Sequence, residues 1–241
     1  MTRSNSIGFL NYPPVHQVEQ GKSVYVDAVN HCQNYQTYLV GGSKVSSVHE
    51  CTHGINSQIR NAGPSGCNGF YFLMDRAFRV QEPEIRKSAC IPFIPSSLRF
   101  SRYSLYVEGQ SEWENQPLYI FDEWVAYQNG AACVIDLGKD YNEGSTDYIF
   151  GPVEFIAYGT AVVMAANAKE PLSPELRELT AFCLERSFEL YTVGMKILPW
   201  EEAHKCMEIL RTSPEAQKMR DFWRDVLAIV PFSTTTCQKR G

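Results

Sequence analysis

Apolar residues recur every three or four positions through most of the second half of the chain. This spacing predicts helices over residues 118–135, 153–168, 174–196, 200–212 and 215–229. Ser173-Pro174 and Ser213-Pro214 supply start signals for two of these segments, since serine caps orphan amides and proline tolerates the first helical turn. The first half has a different texture. Aromatic and β-branched residues between Pro and Gly punctuation predict strands over 22–29, 69–80 and 102–107. One helix interrupts them. Over 44–61, Val45, Val48, Cys51, Thr52, Ile55 and Ile59 fall at helical spacing, with Gly41-Gly42 before and Gly63-Pro64 beyond. The expected architecture is α+β, with an early mixed sheet and late helices.

The chain has 241 residues, of which 44% are hydrophobic, enough for a sizeable core and too many for a disordered chain. One compact unit over 1–241 is expected, with an N-terminal lobe of about 1–115 and a helical lobe of about 116–241. The formal charge is −5, and no basic block is long enough to follow a phosphate backbone, so nucleic-acid binding is not expected. No uninterrupted apolar run reaches about 18 residues, and the opening residues lack the apolar centre of a secretory signal. Neither membrane association nor secretion is expected. Eight scattered cysteines without a C-x-x-C pair read as reduced, mostly buried thiols, which points to a cytoplasmic location.

The helix over 44–61 carries the candidate chemistry. His49-Glu50-Cys51-Thr52-His53 fits the pattern H-E-x-x-H. Residues four apart on a helix lean to the same side, so two neutral imidazoles from adjacent turns can grip one Zn²⁺ at about 2.0–2.1 Å. Glu50, next to the first histidine, is placed to activate water rather than to ligate. The pattern arises by chance in a chain of this length about once in a hundred. No Lys or Arg falls between Val45 and Ile59. This helix is therefore expected to be largely buried, where two imidazoles and a carboxylate without partners would be costly.

At these residues the sequence resembles the zincin superfamily of zinc metallopeptidases. The metzincin branch would need Gly at position 56 and His at position 59, where this chain has Asn56 and Ile59. A thermolysin-like spacing brings Glu82 and Glu84 into range, but they stand in the proline-interrupted segment QEPEIRK. The third ligand is therefore expected further along. Asp122 and Glu123 form an acidic pair amid Ile120, Phe121, Trp124 and Val125, costly unless a cation is near. Glu123, followed by an aromatic and a small residue, resembles the ligand helix of gluzincins and is the preferred third ligand. Asp122 would orient a ligand imidazole. Glu154, in a segment of similar pattern, is a rival. Asp147 is another, in a stretch that resembles the aspzincin motif G-T-x-D-x-x-Y-G with Ser for Thr and Phe for Tyr.

The expected function is a zinc-dependent peptidase acting on a peptide or protein, with His49, His53 and Glu123 holding zinc and Glu50 as general base. Tyr103, Tyr106, Tyr119, Tyr127, Tyr158 and His204 are candidate donors to the oxyanion. Two alternatives use the same atoms. One is a non-haem Fe(II) oxygenase with a two-His, one-carboxylate site, for which Glu50 has no evident use. The other is a non-catalytic metal-binding module. His16 and His31 carry no spacing argument and read as ordinary surface or core residues.

Overall fold

The computed structural model describes residues 6–15, 23–138 and 147–229. Three antiparallel strands form the sheet: β1 (Gly8–Asn11), β2 (Cys67–Tyr71) and β3 (Arg76–Gln81), in the order β1-β3-β2. Phe78 of β3 stands opposite Phe9 on one side and Phe70 on the other. Helices make up most of the rest: α1 (Val24–His31), the short α2 (Tyr35–Tyr38), α3 (Lys44–Asn61), α4 (Tyr119–Leu137), α5 (Asp147–Lys169), α6 (Pro174–Ile197), α7 (Glu201–Thr212) and α8 (Gln217–Asp225). The molecule is thus α+β, with the strands among the described residues lying between Gly8 and Gln81.

Several sequence expectations change. The sheet is small and wholly antiparallel among the described residues, not mixed. Residues 69–80 form two strands joined by a reversal at Leu73, Met74 and Asp75, all three with left-handed backbone. Residues 24–29, expected as strand, lie in α1; residue 22 is outside the described residues. Ser23 caps that helix by accepting from the Val26 amide, and Asp136 of α4 accepts from the Val24 amide, so capping overrides the strand preference of the valines. Residues 102–107, also expected as strand, lie mostly in a π-helical turn, Tyr103–Glu108. The buried Lys87 ammonium donates to the carbonyls of Tyr106 (2.9 Å), Val107 (2.8 Å) and Gly109 (2.5 Å), satisfying the end of this wide turn.

Helix α3 lies against the sheet because β2 approaches it closely. A Cβ at Gly69 would sit 2.3 Å from the Ile59 side chain, so only glycine permits this contact. On its other side α3 packs against α4, and α4 against α5, where Gly159 leaves room for the ring of Trp124. Two apolar clusters result. One joins the sheet to α4, α5, α6 and α7, and the other joins α1 and α3 to α4 and the start of α5. Both draw residues from each side of position 115.

Helix α5 is long and apolar enough to cross a membrane, and 94% of its most apolar window is buried inside the protein. Seven cysteines are buried and free of disulfides, and Cys237 lies outside the described residues, as does His16.

Candidate metal centre

Helix α3 is set by Ser43, whose hydroxyl accepts from the Ser46 amide at the N-terminus. Its apolar stripe turns Val45, Val48, Cys51, Ile55 and Ile59 inward. His49 and His53 then share the flank that meets the first turns of α4. The two Nε2 atoms lie 3.2 Å apart. Glu123 Oε2 is 3.7 Å from Nε2 of His49 and 3.6 Å from Nε2 of His53.

Neighbours fix each of these groups. Asp122 Oδ2 binds His53 Nδ1 at 2.6 Å, and its other oxygen accepts from the Asn56 amide at 2.7 Å. His53 Nδ1 is thereby occupied, leaving Nε2 to face Glu123. The Tyr119 hydroxyl donates to Glu123 Oε1 at 2.9 Å, and the Tyr119 ring stacks against Trp113. His49 meets the rings of Tyr127 and Tyr148 edge to face. Tyr127 is held in turn by the Arg102 guanidinium, 4.7 Å from its ring centre.

The electrostatics are those of a buried charge cluster. Burial holds the His49 imidazole well below its ordinary pKa, with His53 and Arg102 acting in the same direction. Burial also opposes charge on His53, but Asp122, Glu123 and Glu50 outweigh it and raise this group to about 10. Burial raises the Glu123 carboxyl, helped by Asp122 and Glu50 and opposed by His53.

The donors fit a metal ion. Two ligands at about 2.0–2.1 Å in tetrahedral array stand about 3.4 Å apart, close to the observed separation of the imidazole nitrogens. Glu123 Oε2 is buried and has no hydrogen-bond partner, an expense that a cation between it and the histidines removes. These three residues could therefore hold a divalent ion with two nitrogens and one oxygen. Glu50, half-buried, borders the same cleft of about 440 Å³, together with Tyr106 and Gln110.

The rival ligands are elsewhere. Glu154 is fully buried and accepts from the backbone amide and guanidinium of Arg102 (both 2.9 Å) and from Tyr158 (2.6 Å). Asp147 is largely exposed and pairs with Arg102 at 3.1 Å. Glu82 accepts from the Leu118 amide and Asn68, and Glu84 pairs with Lys169. Among the candidate oxyanion donors, Tyr106 and Tyr119 border the cleft, while His204 lies beside Tyr191 near the surface. A second group with metal-binding residue types, Asp27, His31 and Asp75, has its polar atoms engaged already. His31 bonds the Asp27 carbonyl (2.7 Å) and Asp75 (2.8 Å), and Tyr71 donates to Asp27 (2.8 Å). It ties α1 to the β2–β3 reversal.

Sequence reasoning did not find Asn56, Gln110 or Trp113. Asn56 shares a helix face with His53, but no spacing rule marks it, and the other two belong to a short 3-10 turn that no periodicity reveals. Compared with known protein families, curated proteins and solved structures, the chain matches none.

Proposed function

We propose that this protein is a zinc-dependent metallopeptidase of zincin type. The observation that carries the reading is the convergence of His49 Nε2, His53 Nε2 and the unpartnered Glu123 Oε2 at the edge of a cleft that Glu50 also borders. A long H-E-x-x-H helix against an antiparallel sheet, with the carboxylate on the next long helix, supports a zincin-like core. Zinc, when bound, supplies a Lewis acid that lowers the pKa of water toward about 7 and polarises the scissile carbonyl.

The chain's own residues supply the rest. Glu50 takes the proton of the attacking water and returns it to the leaving amine. Tyr106 presents a hydroxyl to the developing oxyanion. Its phenol is 3.2 Å from that of Tyr127, so the two can share one proton while the other is offered to substrate. Asp122 occupies Nδ1 of His53 and so leaves Nε2 turned toward His49 and Glu123. Burial of His49 keeps its imidazole neutral, the form a metal requires.

The test is Glu50→Gln, assayed with quenched-fluorescent peptides on protein whose metal has been measured. Turnover should fall by about 10²–10⁴-fold, the usual worth of a general base, while zinc content stays near one per chain. Undiminished cleavage by the variant would overturn the assignment. Iron in place of zinc after purification without added metal would favour the oxygenase chemistry.

A further inference from the structure

Arg60 is the feature of the cleft that the peptidase mechanism leaves unused. It sits in the last turn of α3, seven residues beyond His53, and borders two open spaces at once. One is the cleft of the histidines, and the other is an adjoining polar hollow of about 680 Å³ bounded also by Asn68, Glu82 and Gln116. A basic residue at a helix C-terminus is favourable for the dipole alone. That does not explain its direction. The guanidinium reaches back along the helix and donates to Ser57 Oγ at 3.2 Å, which aims it toward the histidines.

Its surroundings are acidic. Glu50, Asp122 and Glu123 border the cleft, yet among the described residues no carboxylate lies within 4.0 Å of Arg60. Glu82 feels its charge without pairing with it. Arg60 thus offers a half-buried cation whose fork, beyond the one bond to Ser57, forms no ion pair among the described residues, at the edge of a cleft that also holds Glu50, Asp122 and Glu123.

Distance decides which part of a substrate can reach it. At about 1.5 Å rise per residue, Ser57 is about 6 Å along the helix axis from His53, and the guanidinium lies near that level. An extended peptide advances about 3.3 Å per residue. For a peptide lying along α3, a group one or two residues from the scissile carbonyl falls opposite Arg60. We infer that Arg60 is a specificity-determining residue that binds a substrate carboxylate one or two residues from the bond cleaved. That carboxylate is either the terminal α-carboxylate of a short peptide or an Asp or Glu side chain. Bidentate pairing suits an arginine fork and either source.

This inference rests on the peptidase reading, so its test separates the two. Peptide affinity is measured by calorimetry on the full chain carrying Glu50→Gln, as purified and after zinc addition. The probes are acetyl-Ala-Ala-Ala as free acid against its amide, and acetyl-Ala-Asp-Ala-amide against its Asn counterpart. One member of either pair should bind about 10- to 100-fold tighter when it carries the carboxylate, the worth of a charge-assisted pair. Arg60→Gln should bring that pair to parity, and Arg60→Lys should keep part of the preference, with unchanged thermal melting showing that the fold is intact. The free-acid pair responding points to the terminal carboxylate, and the Asp pair to the side chain. Parity in both pairs before substitution, or a preference that survives Arg60→Gln, overturns the role of Arg60. Neither result touches the peptidase reading, which zinc content and turnover of the unsubstituted protein decide separately.

Discussion

Asp122 shows how one side chain can serve two levels of organisation. In the first turn of α4 its charge complements the helix dipole, and the same carboxylate bridges His53 and Asn56 of α3. Asp122→Asn keeps the volume but removes the charge that orients the imidazole. Zinc affinity, measured by competition with a fluorescent chelator, should drop about 10- to 100-fold. An unchanged affinity would show that α4 alone fixes the geometry. Glu82 bears on stability instead. Burial raises its pKa to about 7, with the Leu118 amide, Asn68 and Arg60 opposing the rise. A carboxyl whose folded pKa exceeds its unfolded value of about 4.5 favours folding when protonated. Its contribution is full below pH 4.5 and is lost as pH rises through 7, at most about 3.5 kcal/mol at about 1.4 kcal/mol per unit. Glu82→Gln should flatten the melting temperature between pH 4.5 and 7, and an unaltered profile would assign that dependence to other groups. At this scale His49, Glu50 and His53 were legible because their spacing is local, whereas Arg60 belongs to no motif and becomes visible only when two hollows meet at it.

Among the elements, the π-helical turn does most to shape the cleft. It presents Tyr106, and just beyond it Gln110 takes a left-handed backbone before the turn that brings Trp113 onto Tyr119. Lys87 holds this arrangement by donating to three carbonyls, and burial pulls its pKa down, with Glu114 opposing. Lys87→Met would leave those carbonyls without a donor in a dry setting. We expect a loss of about 2–4 kcal/mol in urea unfolding, since each stranded buried acceptor costs about 1–3 kcal/mol. A loss below about 1 kcal/mol would mean that water or backbone replaces the ammonium. Residues 102–107 read as a strand because Tyr and Val favour one, and nothing near them in sequence announces a lysine fifteen or more positions upstream. The same reasoning covers α1, where Asp136 supplies a cap from more than a hundred residues away. Helix α3 was legible over its full length, Lys44–Asn61, because its apolar stripe runs through it and Gly41-Gly42 and Gly63-Pro64 stand close to its two ends.

For the whole molecule, the metal is expected to act as a clasp as well as a reagent. The three donor atoms come from α3, whose apolar residues belong to one cluster, and from α4, which contributes to both, so a shared ligand ties α3 to the helix common to the two cores. In the unfolded chain Glu123 is remote from the histidines and the site does not exist, so binding energy becomes folding energy. At free zinc 100 times its dissociation constant, linkage gives about 2.7 kcal/mol. For a chain of this length each kcal/mol shifts the melting temperature by about 2–4 °C, so zinc should raise it by about 5–11 °C over chelator-treated protein. The shift should vanish in Glu123→Ala and persist in Glu50→Gln, because Glu50 borders the cleft without being one of the three donors. A Glu123→Ala protein that zinc still stabilises to the same degree would place the ion elsewhere. The engaged Asp27, His31 and Asp75 group is the natural comparison, and Asp75→Asn should leave the zinc-induced shift intact.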